Sequence, residues 1–214
     1  MPNESYKTVL KENTAELIEK KSRFIAAVMP VKTEEEALWF INKKKKEHYD
    51  ATHNTYAYVV RENNIARFSD DGEPGGTAGL PMMEVLKKEG LFDVVVVVTR
   101  YFGGTLLGAG GLVRAYSKSA KMGVDAAEIV TMLTVKSYSV ECSYDMFGKV
   151  KYLVENNDYI LDSIDYGEAV MVNVSVKLEH TDLFVKDITE TTNGGAVINE
   201  TGEKFIASKE QGRL

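Results

Sequence analysis

The chain has 214 residues, 44% of them hydrophobic and 27% charged, with a net charge of −6. This is ordinary for a globular protein with room for two small domains. No apolar run approaches the roughly 20 residues of a membrane helix, MPNESYKTVLKEN does not read as a secretory signal, and the lone Cys142 excludes an intrachain disulfide, so a cytoplasmic protein without membrane contact is expected.

In chain order, YKTVLKENTAELIEKKSRFIAAVMPV reads as two strands joined near Glu12–Thr14, with Phe24–Val28 almost fully apolar. A helix from Thr33 to about Tyr49 follows. Thr33 and Glu36 form a capping box. Glu34–Glu36 in the first turn and Lys43–Lys46 in the last suit the helix dipole. Ala37, Leu38, Phe40 and Ile41 should supply its buried face. Strands over Thr55–Arg61 and Ile65–Phe68 flank the turn Glu62-Asn63-Asn64. The loop RFSDDGEPGGTAGLP comes next, then a short helix, Met82–Lys88, ended by Gly90. Asp93–Tyr101 contains five consecutive valines, the pattern of a central strand buried on both faces. A second glycine-rich loop, Phe102–Gly111, leads into a helix over Leu112–Ala127.

From residue 129 the pattern is strand (Leu133–Cys142), helix (Tyr144–Glu155), strand (Tyr159–Ile164), strand (Ala169–Leu178), helix (Asp182–Thr191) and a last strand within Ala196–Ala207. Val170, Val172, Val174 and Val176 alternate strictly, as on a half-solvated sheet. The order is that of a ferredoxin-like βαββαβ set. Two domains, 1–128 and 129–214, are therefore expected. Residues 1–128 hold 18 Lys and Arg against 18 Asp and Glu, while 129–214 hold 8 against 14. Phosphate is held mainly by Lys and Arg, so any nucleic-acid binding should fall to the first part.

The two glycine loops carry the chemistry worth weighing. Asp70, Asp71 and Glu73 could hold Mg²⁺, but Asp71-Gly72 and Pro74-Gly75 are also strong turn formers, and the stretch lacks the twelfth ligand of a calcium loop. Gly103 and Gly108 keep the outer spacing of a P-loop, yet Ala109-Gly110 replaces the Lys-Ser/Thr that would hold phosphate and Mg²⁺. A helix start at Gly110-Gly111 could take an anion, or could simply need glycine for a tight turn. His48, His53 and His180 lack the spacing of helix-borne metal ligands. Cys142, in an alternating strand context, reads as a buried thiol, and no nucleophilic arrangement can be argued from spacing.

Taken together, RFSDDGEPGGTAGLPM and VVVVVTRYFGGTLLGAGGLVRAY resemble the signature of the YigZ/IMPACT family, with KSRFIAAV and AYVV matching earlier segments. The resemblance covers about residues 15–125, and Thr105-Leu106-Leu107 stands where many members carry a lysine. It implies an α+β protein with an N-terminal domain like ribosomal protein S5 domain 2, which contains a left-handed βαβ crossover. The C-terminal domain it implies is ferredoxin-like, similar to the last domain of elongation factor G. It also implies that the loops meet. Arg67, Ser69, Asp70, Asp71, Glu73, Gly75, Gly76 and Thr77 would then share one recognition surface with Arg100, Tyr101, Gly103, Gly104, Gly108, Gly110, Gly111 and Arg114, with His53 as a further polar member. The charged members would form one cluster, either an internally satisfied clamp or a ligand site. Eukaryotic relatives act in translational regulation through partner proteins. The leading expectation is thus a non-catalytic, translation-associated protein that binds RNA, the ribosome or a regulatory protein, needs no cofactor, and is a monomer or weak dimer. The alternative is an enzyme or sensor for a small phosphorylated ligand, with Asp70 and Asp71 on Mg²⁺.

Overall fold

The computed structural model describes residues 5–208, which divide into two compact units. Tyr6–Thr131 make up the first; Met132–Ser208, with Ser5, make up the second. The class is α+β, with five helices among the described residues.

The N-terminal unit is built on a sheet ordered β2-β3-β6-β4-β5, in which every neighbouring pair is antiparallel: β2 (Asn13–Glu19), β3 (Ser22–Pro30), β4 (His53–Val60), β5 (Ile65–Ser69) and β6 (Val94–Tyr101). The valine strand β6 is central, and Val94–Val98 are all fully buried. Alternation along a strand divides them between two cores. Val94, Val96 and Val98 face α2 (Gly79–Glu89) and α3 (Ala109–Ala126), while Val95 and Val97 face α1 (Glu34–Glu47). Arg100, two residues beyond Val98, falls on the α2/α3 face. Register sets it opposite Phe24 on β3 and His53 on β4.

The first stretch contains three strands, not two. β1 (Tyr6–Val9) is separate, and β2 and β3 form a hairpin turning at Lys20-Lys21, both at positive φ (46° and 67°). A two-residue turn with φ > 0 at both positions suits the twist of a hairpin, although glycine or asparagine is its usual occupant. In α1, Thr33 accepts from the Glu36 N–H at 3.2 Å, while the Glu36 carboxylate reaches the N–H of Lys32 rather than of Thr33. Leu38 is 42% exposed. Lys44 takes a place on the buried face, its ammonium held by Glu47 and Glu12. Its aliphatic stem covers the core while the charge stays paired.

α3 presents the stripe Leu112, Ala115, Tyr116, Ala120, Gly123 and Val124 to the sheet. A Cβ at Gly123 would lie 2.9 Å from side-chain carbons of Ala26 and Val28, so glycine there permits close helix-on-sheet packing.

β7 (Ile129–Cys142) enters the C-terminal unit at Met132, and α4 (Tyr144–Asn156), β8 (Tyr159–Tyr166), β9 (Val170–Lys177), α5 (Thr181–Thr191) and β10 (Val197–Ser208) follow in order. β9 lies between β7 and β8, antiparallel to both, and β10 pairs with β7, which is ferredoxin-like topology. Val170, Val172, Val174 and Val176 are fully buried against Val150, Val154, Phe184 and Ile188. Cys142 belongs to this core, where burial raises its pKa, with Asp145 adding to the effect.

Gly103 gives this architecture a direct test. A Cβ there would stand 2.0 Å from the carbonyl carbon of Lys21 and 2.4 Å from the N of Ser22, both backbone atoms that cannot rotate away. Gly103→Ala should therefore cost at least about 2 kcal/mol in a urea melt, beyond the propensity cost of any loop substitution. Gly75→Ala, which meets nothing within 4 Å, should leave the midpoint nearly unchanged.

Candidate functional site

The first glycine loop is shaped by its own carboxylates. Asp70 Oδ1 accepts from the N–H groups of Ala78 and Gly79 at 3.0 and 2.8 Å, and Oδ2 from that of Gly76 at 2.8 Å. It thereby serves the start of α2, which lacks a local side-chain cap. Asp71, at φ 45°, accepts from the Lys45 ammonium and the Asn54 N–H, each at 2.7 Å. Burial alone would raise its pKa. The bonds from Lys45 and Asn54 outweigh that and hold it below the ordinary 3.8. Ser69 accepts from the Asp71 N–H, and Thr77 donates to the Pro74 carbonyl. Among the described residues no group of three His, Cys, Asp or Glu could hold a metal ion.

Glu73 points the other way, into the protein. Its Oε1 accepts from Arg100 Nη1 at 2.6 Å and from the Tyr116 hydroxyl at 2.7 Å. All three residues are buried, with Glu73 7% and Arg100 5% exposed. Burial drives the Tyr116 phenol far above its usual pKa, and the Glu73 carboxylate reinforces the shift. Arg100 Nη2 reaches Ser22 Oγ, which also accepts from the Gly103 N–H. Its Nε has no hydrogen-bond partner, and the guanidinium lies 5.4 Å from the Phe24 ring centroid and 5.6 Å from that of Phe102. The faces of those rings give the cation a favourable apolar setting. Glu73 therefore joins the first loop to β6, to α3 and, through Arg100 and Ser22, to the second loop.

Above this network lies a cavity of about 390 Å³. His53, Glu73 and Arg100 contribute to its lining, and Pro74, Phe102, Leu106, Leu107, Gly108, Ala109 and Leu112 form apolar and backbone walls. Leu106 is 83% exposed and Phe102 46%. Gly104 and Gly108 take positive φ in the loop, and α3 begins at Ala109 with no side-chain cap. Gly110 and Gly111 belong to its first turn.

The six charged residues expected to cluster do not form one cluster. Glu73 and Arg100 pair in the interior. Asp71 pairs with Lys45 and Asp70 with backbone. Arg67 is exposed and, among the described residues, bonded to the Ala66 carbonyl. Arg114 is exposed on the second turn of α3, its guanidinium reaching back beside Gly110, with no ion pair among the described residues. Of the two readings left open, Arg100 follows the internal clamp: its side chain is enclosed and paired with Glu73. Tyr101 turns away, bonding Asp50 and His48. Sequence reasoning missed Tyr116, Ser22 and Lys45. Tyr116 lies on the buried stripe of α3, but nothing in its spacing marks a hydroxyl facing a carboxylate.

Two outcomes are expected. Glu73→Ala leaves a buried guanidinium without its counter-charge and should destabilise the chain by about 3–5 kcal/mol in urea melts. Asp71, with its pKa depressed in the folded state, contributes stability that is complete well above pH 3.8 and lost as pH falls through its lower folded value. Asp71→Asn should flatten that part of the acid limb of a stability–pH curve, whereas Glu84→Gln, at an exposed pair, should not.

Comparison with known proteins agrees with this architecture. Residues 20–124 match the Impact N-terminal domain, and residues 140–194 match a domain of unknown function, DUF1949. IMPACT family member YvyE of Bacillus subtilis is 45% identical over 92% of this chain and 91% of its own length. IMPACT family member YigZ of Escherichia coli is 32% identical over 82% and 87%. A Protein IMPACT homolog of Dictyostelium discoideum is 41% identical over 42% of this chain but only 27% of its own. A solved structure titled as a hypothetical protein superposes with a TM-score of 0.59 at 29% identity, covering 97% of this chain and 99% of that one. Matched in both parts, and nearly end to end by a bacterial relative, the chain belongs to the IMPACT family.

Proposed function

We propose that this chain is a non-catalytic, translation-associated regulator that holds ribosomal RNA through the edge of its N-terminal unit around the second glycine loop. The observation that carries the reading is where unpaired cations fall. The backbone of the Lys20-Lys21 turn packs on Gly103, and β2, which leads into that turn, packs against α3. Lys20, Lys21, Arg114 and, one turn along α3, Lys118 are all exposed and make no ion pair among the described residues. Exposed Phe102 and Leu106 lie in the same loop. Cations with an aromatic among them suit single-stranded RNA, where phosphates are neutralised and bases stack.

The even charge count of this unit is compatible with that role. Asp70, Asp71, Glu73 and Asp93 are spent on backbone N–H groups and internal cations. The same engagement weighs against a Mg²⁺-dependent reading, since an ion at Asp70 and Asp71 would have to displace bonds that shape the loop. Family resemblance supplies the link to translation.

Ribosome co-sedimentation and filter binding of ribosomal RNA fragments at graded salt test the reading. Four phosphate contacts give a slope of log affinity against log salt of about −2 to −4. Arg114→Ala and Lys21→Ala should each reduce that slope by nearly one unit while costing less than about 0.5 kcal/mol of stability. A much steeper slope, or binding carried by residues 132–208 alone, would overturn it.

A further inference from the structure

We propose that the cavity under the second glycine loop takes one unpaired nucleotide with an amino-bearing base, its base edge on Glu73 and His53 and its phosphate at the start of α3 beside Arg114. This rests on the RNA-binding reading and names the chemistry of the residue that the strand would insert.

The base end follows from an unsatisfied pair of acceptors. His53 Nδ1 lies 2.8 Å from the Asp71 carbonyl oxygen, which can only accept, so Nδ1 carries the hydrogen and Nε2 of the neutral ring is a lone pair. That lone pair stands 3.8 Å from Glu73 Oε2. Glu73 Oε1 accepts from Arg100 and Tyr116, and Oε2 has no hydrogen bond among the described residues. With the ring neutral, two acceptors face each other at the cavity floor, one on a residue that is 7% exposed. An acceptor that opens on the cavity without a protein donor can take one from a bound molecule.

With Glu73 balanced by Arg100, the floor is close to neutral, which suits a neutral donor rather than a free cation. The exocyclic amino group of adenine, cytosine or guanine is such a donor, with two N–H bonds on one nitrogen; uracil has no amino group and offers only the single N3–H. Pro74, Leu107 and Leu112 offer apolar surface to a ring, with exposed Phe102 and Leu106 at the rim.

The phosphate end is independent of this. α3 runs for 18 residues and starts with no side-chain cap, unlike α1 and α2, which use Thr33 and Asp70. A methyl group added at Gly110 would lie 3.8 Å from Arg114 Nη1, so the unpaired guanidinium stands over the first turn. A cation is unfavourable there by the dipole argument, and an anion between it and the helix N–H groups reverses the sign. Ala109 lines the cavity at the same helix start, so both ends open on one space.

The test measures fluorescence anisotropy of short single-stranded oligoadenylate, oligocytidylate and oligouridylate on the full chain, with direct titrations of AMP and UMP. It is repeated on Ala109→Phe, an exposed position whose new ring fills the cavity, after a thermal melt shows that the variant is folded. The adenylate and cytidylate oligomers should bind at least about fivefold tighter than oligouridylate, the discrimination of one good base contact. Ala109→Phe should reduce them to the oligouridylate level. Equal affinities in the wild type, or a preference that survives Ala109→Phe, would overturn the proposal without touching the RNA-binding reading. If no oligomer binds, that reading falls by itself. AMP binding that Ala109→Phe removes would then still support the pocket, with free nucleotide as its ligand, and absence of AMP binding would overturn it.

Discussion

The N-terminal unit depends on one buried ion pair. Taking a carboxylate and a guanidinium out of water costs several kcal/mol each, recovered only when geometry is good and the remaining polar atoms are served. The Glu73–Arg100 contact at 2.6 Å meets that demand with Tyr116 and Ser22 as auxiliary partners and two phenyl rings beside the guanidinium. Each partner comes from a different element. The pair thereby fixes where the first loop ends, where β6 stops, how α3 is rotated and where the second loop begins. The glycines follow from it: the second loop runs so close to Lys21 that no side chain fits at Gly103. Asp70 fastens the other end of the first loop by serving the N-terminus of α2.

This organisation leaves the unit rigid beneath and open above. The ion pair consumes charge that a surface reading would assign to a ligand. Four cations with no ion pair among the described residues, Lys20, Lys21, Arg114 and Lys118, lie on a hairpin turn and along the first turns of α3. Under the proposed reading, recognition rests on groups that contribute little to folding, while the groups that fold the unit are barely exposed. Within the cavity the two roles meet at Glu73, with one oxygen holding the structure and the other facing open space.

Much of the fold was legible because it follows from periodicity. Five consecutive valines require burial on both faces, and β6 is the central strand. Strict alternation along β9 gives one buried face, and the Thr33 cap forms as its spacing indicates. What was not legible depends on choices between chemically similar candidates. Three acids within four positions could each have met Arg100, and which one does is decided by the turn at Asp71-Gly72. The Lys20-Lys21 turn was hidden because lysine seldom takes positive φ, so one strand seemed to continue. Leu38 was placed inside because an apolar residue fits the stripe, but Lys44 covers part of that face instead. At the site, the chemistry of the loops was visible and their internal pairing was not. The burial of Arg100 follows only from its register on the α2/α3 face of β6.

The central claim is that recognition runs through the edge around the second glycine loop and not through the acidic C-terminal unit. Amide NMR of the isotopically labelled full chain, titrated with a single-stranded ribosomal RNA fragment at low salt, tests it most directly. The account expects shifts to concentrate at Lys20-Lys21 and from Gly103 to Lys118, with the Met132–Ser208 unit unmoved. Shifts confined to that second unit, or spread over the outward face of α1 with the loop silent, would contradict it.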